Sequence, residues 1–144
     1  MITQEQSKYL IQSLGESYGQ DLVLDEAGYC TLVALDDHLI HVIYKAEDEE
    51  IQLHAVVGDL PKDRNLTTQL LRKFMGANLL WVNSIGSTFA IDANEAALMM
   101  QKRYRDGQAL EHMFIKFVRQ FEAELGFWIE QFQAQDEESV KEMF

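Results

Sequence analysis

Residues 28–61, GYCTLVALDDHLIHVIYKAEDEEIQLHAVVGDLP, constrain the fold of this chain more than any other stretch. Three apolar runs, Cys30–Leu35, Leu39–Tyr44 and Ile51–Val57, have strand length and are rich in Val, Ile, Leu and Tyr. The breaks between them, Asp36-Asp37 and Glu47–Glu50, are acidic and hairpin-sized, so the stretch reads as a three-stranded antiparallel meander. If Asp36-Asp37 form a two-residue loop, Leu35 falls opposite His38 and Val33 opposite Ile40. A second hairpin centred on Glu47-Asp48 sets Val42 opposite Leu53 and His41 opposite His54.

Alternation then defines two faces. Thr31, Val33, Leu35, Ile40, Val42, Tyr44, Ile51, Leu53, Ala55 and Val57 share one, which should lie under helices. Cys30, Leu32, Ala34, Leu39, His41, Ile43, Gln52, His54 and Val56 share the other. That second face is too apolar for plain solvent and too polar for a deep core, which suits a protein partner. Leu32, Leu39, His41, Ile43 and Val56 are therefore the candidate binding residues. A slip of one residue would exchange the faces of one strand.

Helical periodicity brackets the meander. Leu10, Ile11, Leu14 and Tyr18 form a stripe in a helix from about Thr3 to Tyr18. Thr3 and Gln6 have capping-box spacing, and Gly19 suits a left-handed residue past the end. An extended piece at Leu22–Leu24 leads into a turn with Gly28. Asp63 caps a second helix, Arg64 to about Ala77, with the stripe Leu66, Leu70, Leu71, Phe74 and Met75. Ser87–Ile91 reads as a strand. Ala96–Tyr104 is in conflict: its residues favour helix, while its length and position permit a strand. The last helix carries Leu110, Phe114, Phe117, Phe121, Leu125, Trp128 and Phe132 at spacings of three or four, widened by Met113 and Val118. The acidic tail from about 135 should fray. Leu70, Leu71, Phe74, Leu79, Trp81 and Phe89 exceed what one small sheet can cover, which points to a homodimer interface.

The 144 residues suit a single domain spanning 1–144, with no linker, repeat or low-complexity segment. A net charge of −12 disfavours nucleic acid and anionic membranes and is compatible with a basic partner. The opening MITQEQSKYL has no signal-peptide pattern, and no apolar run approaches membrane-span length. One cysteine, Cys30, excludes an internal disulfide and fits a reducing compartment. GxSxG, Walker-type, GxGxxG and HExxH motifs are missing, so no catalytic residue, metal or cofactor is assigned. His41 and His54 could sit side by side, but two imidazoles fall short of the ligands zinc needs. Mid-strand, Cys30 reads as a packed hydrophobe, Asp36-Asp37 as a turn and Glu47–Glu50 as a solvated hairpin tip.

The element order is helix, three strands, helix, two strands, helix: an α+β fold with an antiparallel sheet flanked by helices. That order and several strings resemble the class I type III secretion chaperones, the CesT/SycE-like family. The strings are Leu14-Gly15, LDEAGYCTLVALDD at 24–37, VVGDLP at 56–61, LLRKFMGANLLW at 70–81, GSTFAID at 86–92 and FVRQFEAELGFW at 117–128. The resemblance implies a small acidic cytoplasmic homodimer of a Gram-negative bacterium. Such a protein binds the N-terminal segment of a secreted effector without ATP, holding it extended, soluble and secretion-competent. It implies dimer contacts through the second helix and a neighbouring strand, an effector surface extending to Leu10 and Leu14, and a strand at Ala96–Tyr104. Arg105 stands where many members have proline. The competing reading is an acidic adaptor or anti-regulator that binds a folded basic protein; a small hydrolase using His41 ranks below both.

Overall fold

The order of elements follows from local chemistry that repeats along the chain. In the computed structural model, which describes residues 1–79, 87–92, 94, 96–105 and 110–142, that order is α1 (Gln4–Tyr18), β1 (Tyr29–Val33), β2 (Leu39–Lys45), β3 (Glu50–Asp59), α2 (Arg64–Ala77), β4 (Thr88–Ile91), β5 (Ala97–Tyr104) and α3 (Glu111–Glu142). The strands form one sheet in the order β1-β2-β3-β5-β4. Both paired hairpins of the meander are antiparallel, as is β4 with β5.

Caps fix the helix starts. Thr3 accepts from the Gln6 N–H at 3.2 Å and its own N–H donates to the Gln6 side chain at 2.9 Å, completing the capping box. Asp63 accepts from the N–H groups of Asn65 and Leu66 at the start of α2. Gly19 ends α1 in the left-handed region at φ 66°.

The described residues divide into two compact units, Met1–Ala55 with Lys102–Glu122, and Val56–Gln101 with Ala123–Phe144. In the first, Leu10, Ile11 and Leu14 of α1 are buried, as are Ile40, Val42, Ile51 and Leu53 of the sheet and Phe114, Val118 and Phe121 of α3. Burying each large apolar side chain of this kind is worth about 1.5–3 kcal/mol. Tyr104 packs its ring against Phe114 and Phe117, and Tyr44 anchors the N-terminus by donating its hydroxyl to the Ile2 carbonyl at 2.6 Å.

The two hairpins differ from each other in how they meet expectation. In β2–β3 the register is the expected one, Val42 with Leu53 and His41 with His54. In β1–β2 Val33 faces Leu39 and Leu32 faces Ile40, one residue away from the expected pairing. The cause is the loop. Ala34 N–H bonds the His38 carbonyl at 2.7 Å, leaving an odd-numbered loop with Asp36 and Asp37 both left-handed at φ 60° and 59°. Aspartate tolerates that conformation better than most residues. The faces of β1 are therefore exchanged: Cys30, Leu32 and Ala34 point inward and are buried, while Val33 is 42% exposed. Leu110 and Met113 also depart from the expected core stripe of the last helix, being 42% and 44% exposed.

In the second unit an aromatic cluster fills the core. Phe74 of α2 meets Phe89 of β4 and both meet Trp128, with Phe132 beside Phe74. Asn78 ties the end of α2 to β4 through both halves of its amide, accepting from Phe89 N–H at 2.7 Å and donating to Phe89 C=O at 3.0 Å. Gly58 of β3 lets the Phe132 ring approach the strand closely, because a Cβ there would stand 2.4 Å from a ring carbon. Gly58→Ala should therefore lower stability by about 1–3 kcal/mol, and Phe132→Leu in the same chain should recover part of it. Urea midpoints of the two variants check this; a neutral Gly58→Ala would contradict the packing.

Candidate functional site: the outer sheet face

The corrected register assembles a surface from three strands of the first unit. Val33 faces Leu39, Thr31 faces His41 and Tyr29 faces Ile43 across β1–β2; His41 faces His54 and Ile43 faces Gln52 across β2–β3. Leu39 is 50% exposed, and His41, Ile43, Gln52 and His54 are half-buried. The face is thus apolar at its Val33–Leu39 end and polar across its middle.

Its polar groups satisfy one another. The Tyr29 hydroxyl bonds His41 Nδ1, and the Thr31 hydroxyl donates to the Tyr29 oxygen at 3.1 Å. The Tyr29 and His41 rings stack with centroids 5.6 Å apart. His54 Nε2 pairs with the Gln52 amide oxygen at 3.0 Å, and the Gln52 amide donates to Glu50 at 3.4 Å. Burial, then the neighbouring His41 and Lys45, push the His54 pKa down, which keeps its imidazole neutral at physiological pH.

Glu50 closes this row and corrects an expectation. It is not part of a solvated tip but wholly buried, with Arg105 Nε at 2.9 Å and Arg103 Nε at 3.9 Å from its carboxylate. Arg105 is the partner of this buried acid. Pairing across 55 residues leaves no local sequence signal.

The remaining candidates divide by burial. Leu10, Leu14 and Leu32 are fully buried in the core of the free chain, so they do not contribute to its exposed surface. Val56 is 43% exposed on β3 but belongs to the second unit. Of the candidate dimer residues, Leu70, Phe74 and Phe89 are buried within the second unit's own core, Leu71 is half-buried, and Leu79 is 73% exposed. Trp81 lies outside the described residues. Cys30 is buried, and burial together with the nearby Asp25 carboxylate pushes its thiol up to about 11, unsuited to a nucleophile. Among the described residues no group of three or more His, Cys, Asp or Glu is placed to hold a metal ion, and no helix is long and apolar enough to cross a membrane.

Comparison with known proteins names this architecture. The family of Tir chaperone proteins (CesT) matches residues 9–129, nearly the whole described sheet and its helices. The chain belongs to the CesT family. This is the class I type III secretion chaperone family that the sequence strings resemble. No curated protein matches the CesT-family chain by sequence. Solved structures share its fold. A chain of the ExsC–ExsE complex superposes with a TM-score of 0.74 at 19% identity, covering 90% of this chain and 96% of that one. The HopA1–SchA chaperone–effector complex gives 0.66 at 16% identity, covering 93% and 99%. The Yersinia pestis type III secretion chaperone SycH, in complex with a stable fragment of YscM2, gives 0.52 at 15% identity, covering 83% and 98%.

The Glu50 cluster makes a testable statement about acid. Burial raises the Glu50 pKa, but hydrogen bonds from Arg105 and Gln52 and the charges of Arg103 and Arg105 outweigh it and hold the group below its ordinary 4.5. Its contribution is therefore complete above about pH 4.5 and is lost as pH falls through the lower folded-state value. Urea midpoints measured down through this range should fall more steeply for the native chain than for Glu50→Gln. Parallel pH profiles would show that the acid is not coupled to folding.

Proposed function

We propose that this protein is a secretion chaperone that holds the N-terminal segment of a secreted effector in extended form, soluble and ready for export, in the bacterial cytoplasm. The observation that carries this reading is the half-apolar outer sheet face of a CesT-family chain, with Leu39 half exposed beside Val33 and Ile43. Ordering an unfolded segment costs entropy that burial of apolar surface must offset, and this face supplies such surface. Thr31, His41, Gln52 and His54 add hydrogen-bonding groups between the apolar positions. Val56 gives the second unit an exposed apolar contact of its own.

The working form is a homodimer, which doubles the surface presented to one segment. Leu71 and Leu79 of the second unit are the candidate contacts that its own core leaves uncovered.

The −12 charge supports a second reading, an acidic adaptor for a folded basic protein. Binding of that kind weakens steeply with added salt, whereas a largely apolar contact does not.

Leu39→Asp tests the chaperone reading. Exposed substitutions usually change stability by no more than about 0.5 kcal/mol, so circular dichroism and the dimer mass in sedimentation equilibrium should match the unmodified protein. Capture of the N-terminal segment of a secreted protein encoded beside this one should fall at least about tenfold, because the new carboxylate must be desolvated against an apolar chain. Ile43→Asp should act in the same direction. Full binding by an intact Leu39→Asp dimer removes this face from the site, and a monomeric mass for the unmodified protein removes the dimer.

A further inference from the structure

β1 is an edge strand, and its free edge is already occupied. Tyr44 N–H bonds the Gly28 carbonyl and Ala34 N–H bonds the His38 carbonyl, so the even-numbered residues of this strand pair with β2. In an antiparallel ladder the alternate residues then direct their N–H and C=O groups away from that neighbour. On β1 these are Tyr29, Thr31 and Val33.

The chain meets the groups at both ends of this edge. Asp25 accepts from Tyr29 N–H through its carboxylate at 3.0 Å, and its own N–H donates to Tyr29 C=O at 2.9 Å. Gln20 does the same to Val33 with one side chain: its amide oxygen accepts from Val33 N–H at 3.0 Å and its amide nitrogen donates to Val33 C=O at 2.6 Å. A carboxamide has the donor and acceptor of a peptide unit. It stands where a paired residue on an added strand would exchange both bonds with Val33. Among the described residues nothing bonds the outward N–H and C=O of Thr31, between the two.

The backbone of Gln20 is held for this purpose by the end of α1. Gly19 N–H bonds Glu16 C=O at 3.3 Å and Gln20 N–H bonds Gly15 C=O at 2.8 Å, the two bonds of a Schellman ending. The approach is so close that a Cβ on Gly15 would stand 2.5 Å from the Gln20 carbonyl oxygen. From this fixed backbone the Gln20 side chain reaches the β1 edge.

We propose that the Gln20 carboxamide is a removable plug on the β1 edge, and that an extended peptide segment pairing with β1 must displace it. The occupant is a strand-forming segment recognised through its backbone, of the kind the chaperone reading supplies, and the proposal rests on that reading for its biological partner. The plug keeps the edge of the free protein from pairing indiscriminately, since open strand edges invite association. It also sets a threshold: a segment must offer enough contacts elsewhere to outcompete an intramolecular amide.

A generic probe tests the plug without the effector. The probe is a short blocked peptide of alternating threonine and valine with a lysine at each end, beside the same peptide N-methylated at alternate amides so that it cannot pair. In the free proteins, the Val33 amide should exchange with solvent faster in Gln20→Ala than in the unmodified chain. On titration, the amides of Thr31 and Val33 should shift, and Gln20→Ala should bind the probe about tenfold more tightly, the equilibrium worth of one to two net hydrogen bonds. The methylated peptide should lose that difference. Equal affinities, an unmoved Thr31 amide, unchanged Val33 exchange or no pairing by either protein would overturn the plug. These outcomes are separate from capture of a secreted segment, whose failure would remove the chaperone reading and leave the probe result standing.

Discussion

Two consecutive aspartates in the left-handed region decide which half of β1 is core. Asp36 and Asp37 make the first hairpin loop odd in length, and a strand's side chains alternate with a period of two. The phase they impose buries Cys30, Leu32 and Ala34 and turns Tyr29, Thr31 and Val33 outward. Had the loop been even, Thr31 would face the core and Leu32 the solvent. The outer face owes both its Val33–Leu39 apolar end and its Tyr29–Thr31–His41 polar centre to this loop.

What could be read from the sequence was whatever is encoded within a few residues. The box of Thr3 and Gln6, the Asp63 cap and the left-handed Gly19 all involve neighbours, and all stand where local spacing puts them. The second hairpin is also local, and its even loop returned the expected register. The first was missed because nothing in Asp36-Asp37 distinguishes a tight turn from a longer loop with two left-handed residues. β5 shows the opposite problem. Its Ala, Leu, Met, Gln and Lys residues favour helix, yet Leu98, Met100 and Tyr104 are buried at strand spacing and Lys102 lies over the Phe117 ring at 5.3 Å. Glu50 with Arg105, and Gln20 with Val33, are pairings across the fold that no local spacing marks.

The candidate site was legible in part for the same reason. Leu39, His41 and Ile43 lie on β2, whose phase was read correctly, and they remain on the outer face. Leu32 lies on β1 and moved inward with its strand. Leu10 and Leu14 came from family likeness and are fully buried, as their helical stripe alone requires. The buried Glu50 beside Arg105, and the hydrogen-bonded Tyr29–His41 and Gln52–His54 pairs, give the face a fixed polar pattern. A surface with few formal charges and half-exposed aliphatic groups can grip many sequences through their apolar residues.

The central claim is that this outer face, rather than the helical side of the sheet, receives an extended secreted segment. Methyl-labelled protein titrated with the N-terminal segment of a secreted protein encoded beside it reads this directly. The methyl signals of Val33, Leu39 and Ile43 should shift on binding, while those of Leu10, Leu14 and Leu32 in the core stay near their free positions. Large shifts confined to the core leucines, with Leu39 and Ile43 unmoved, would contradict it.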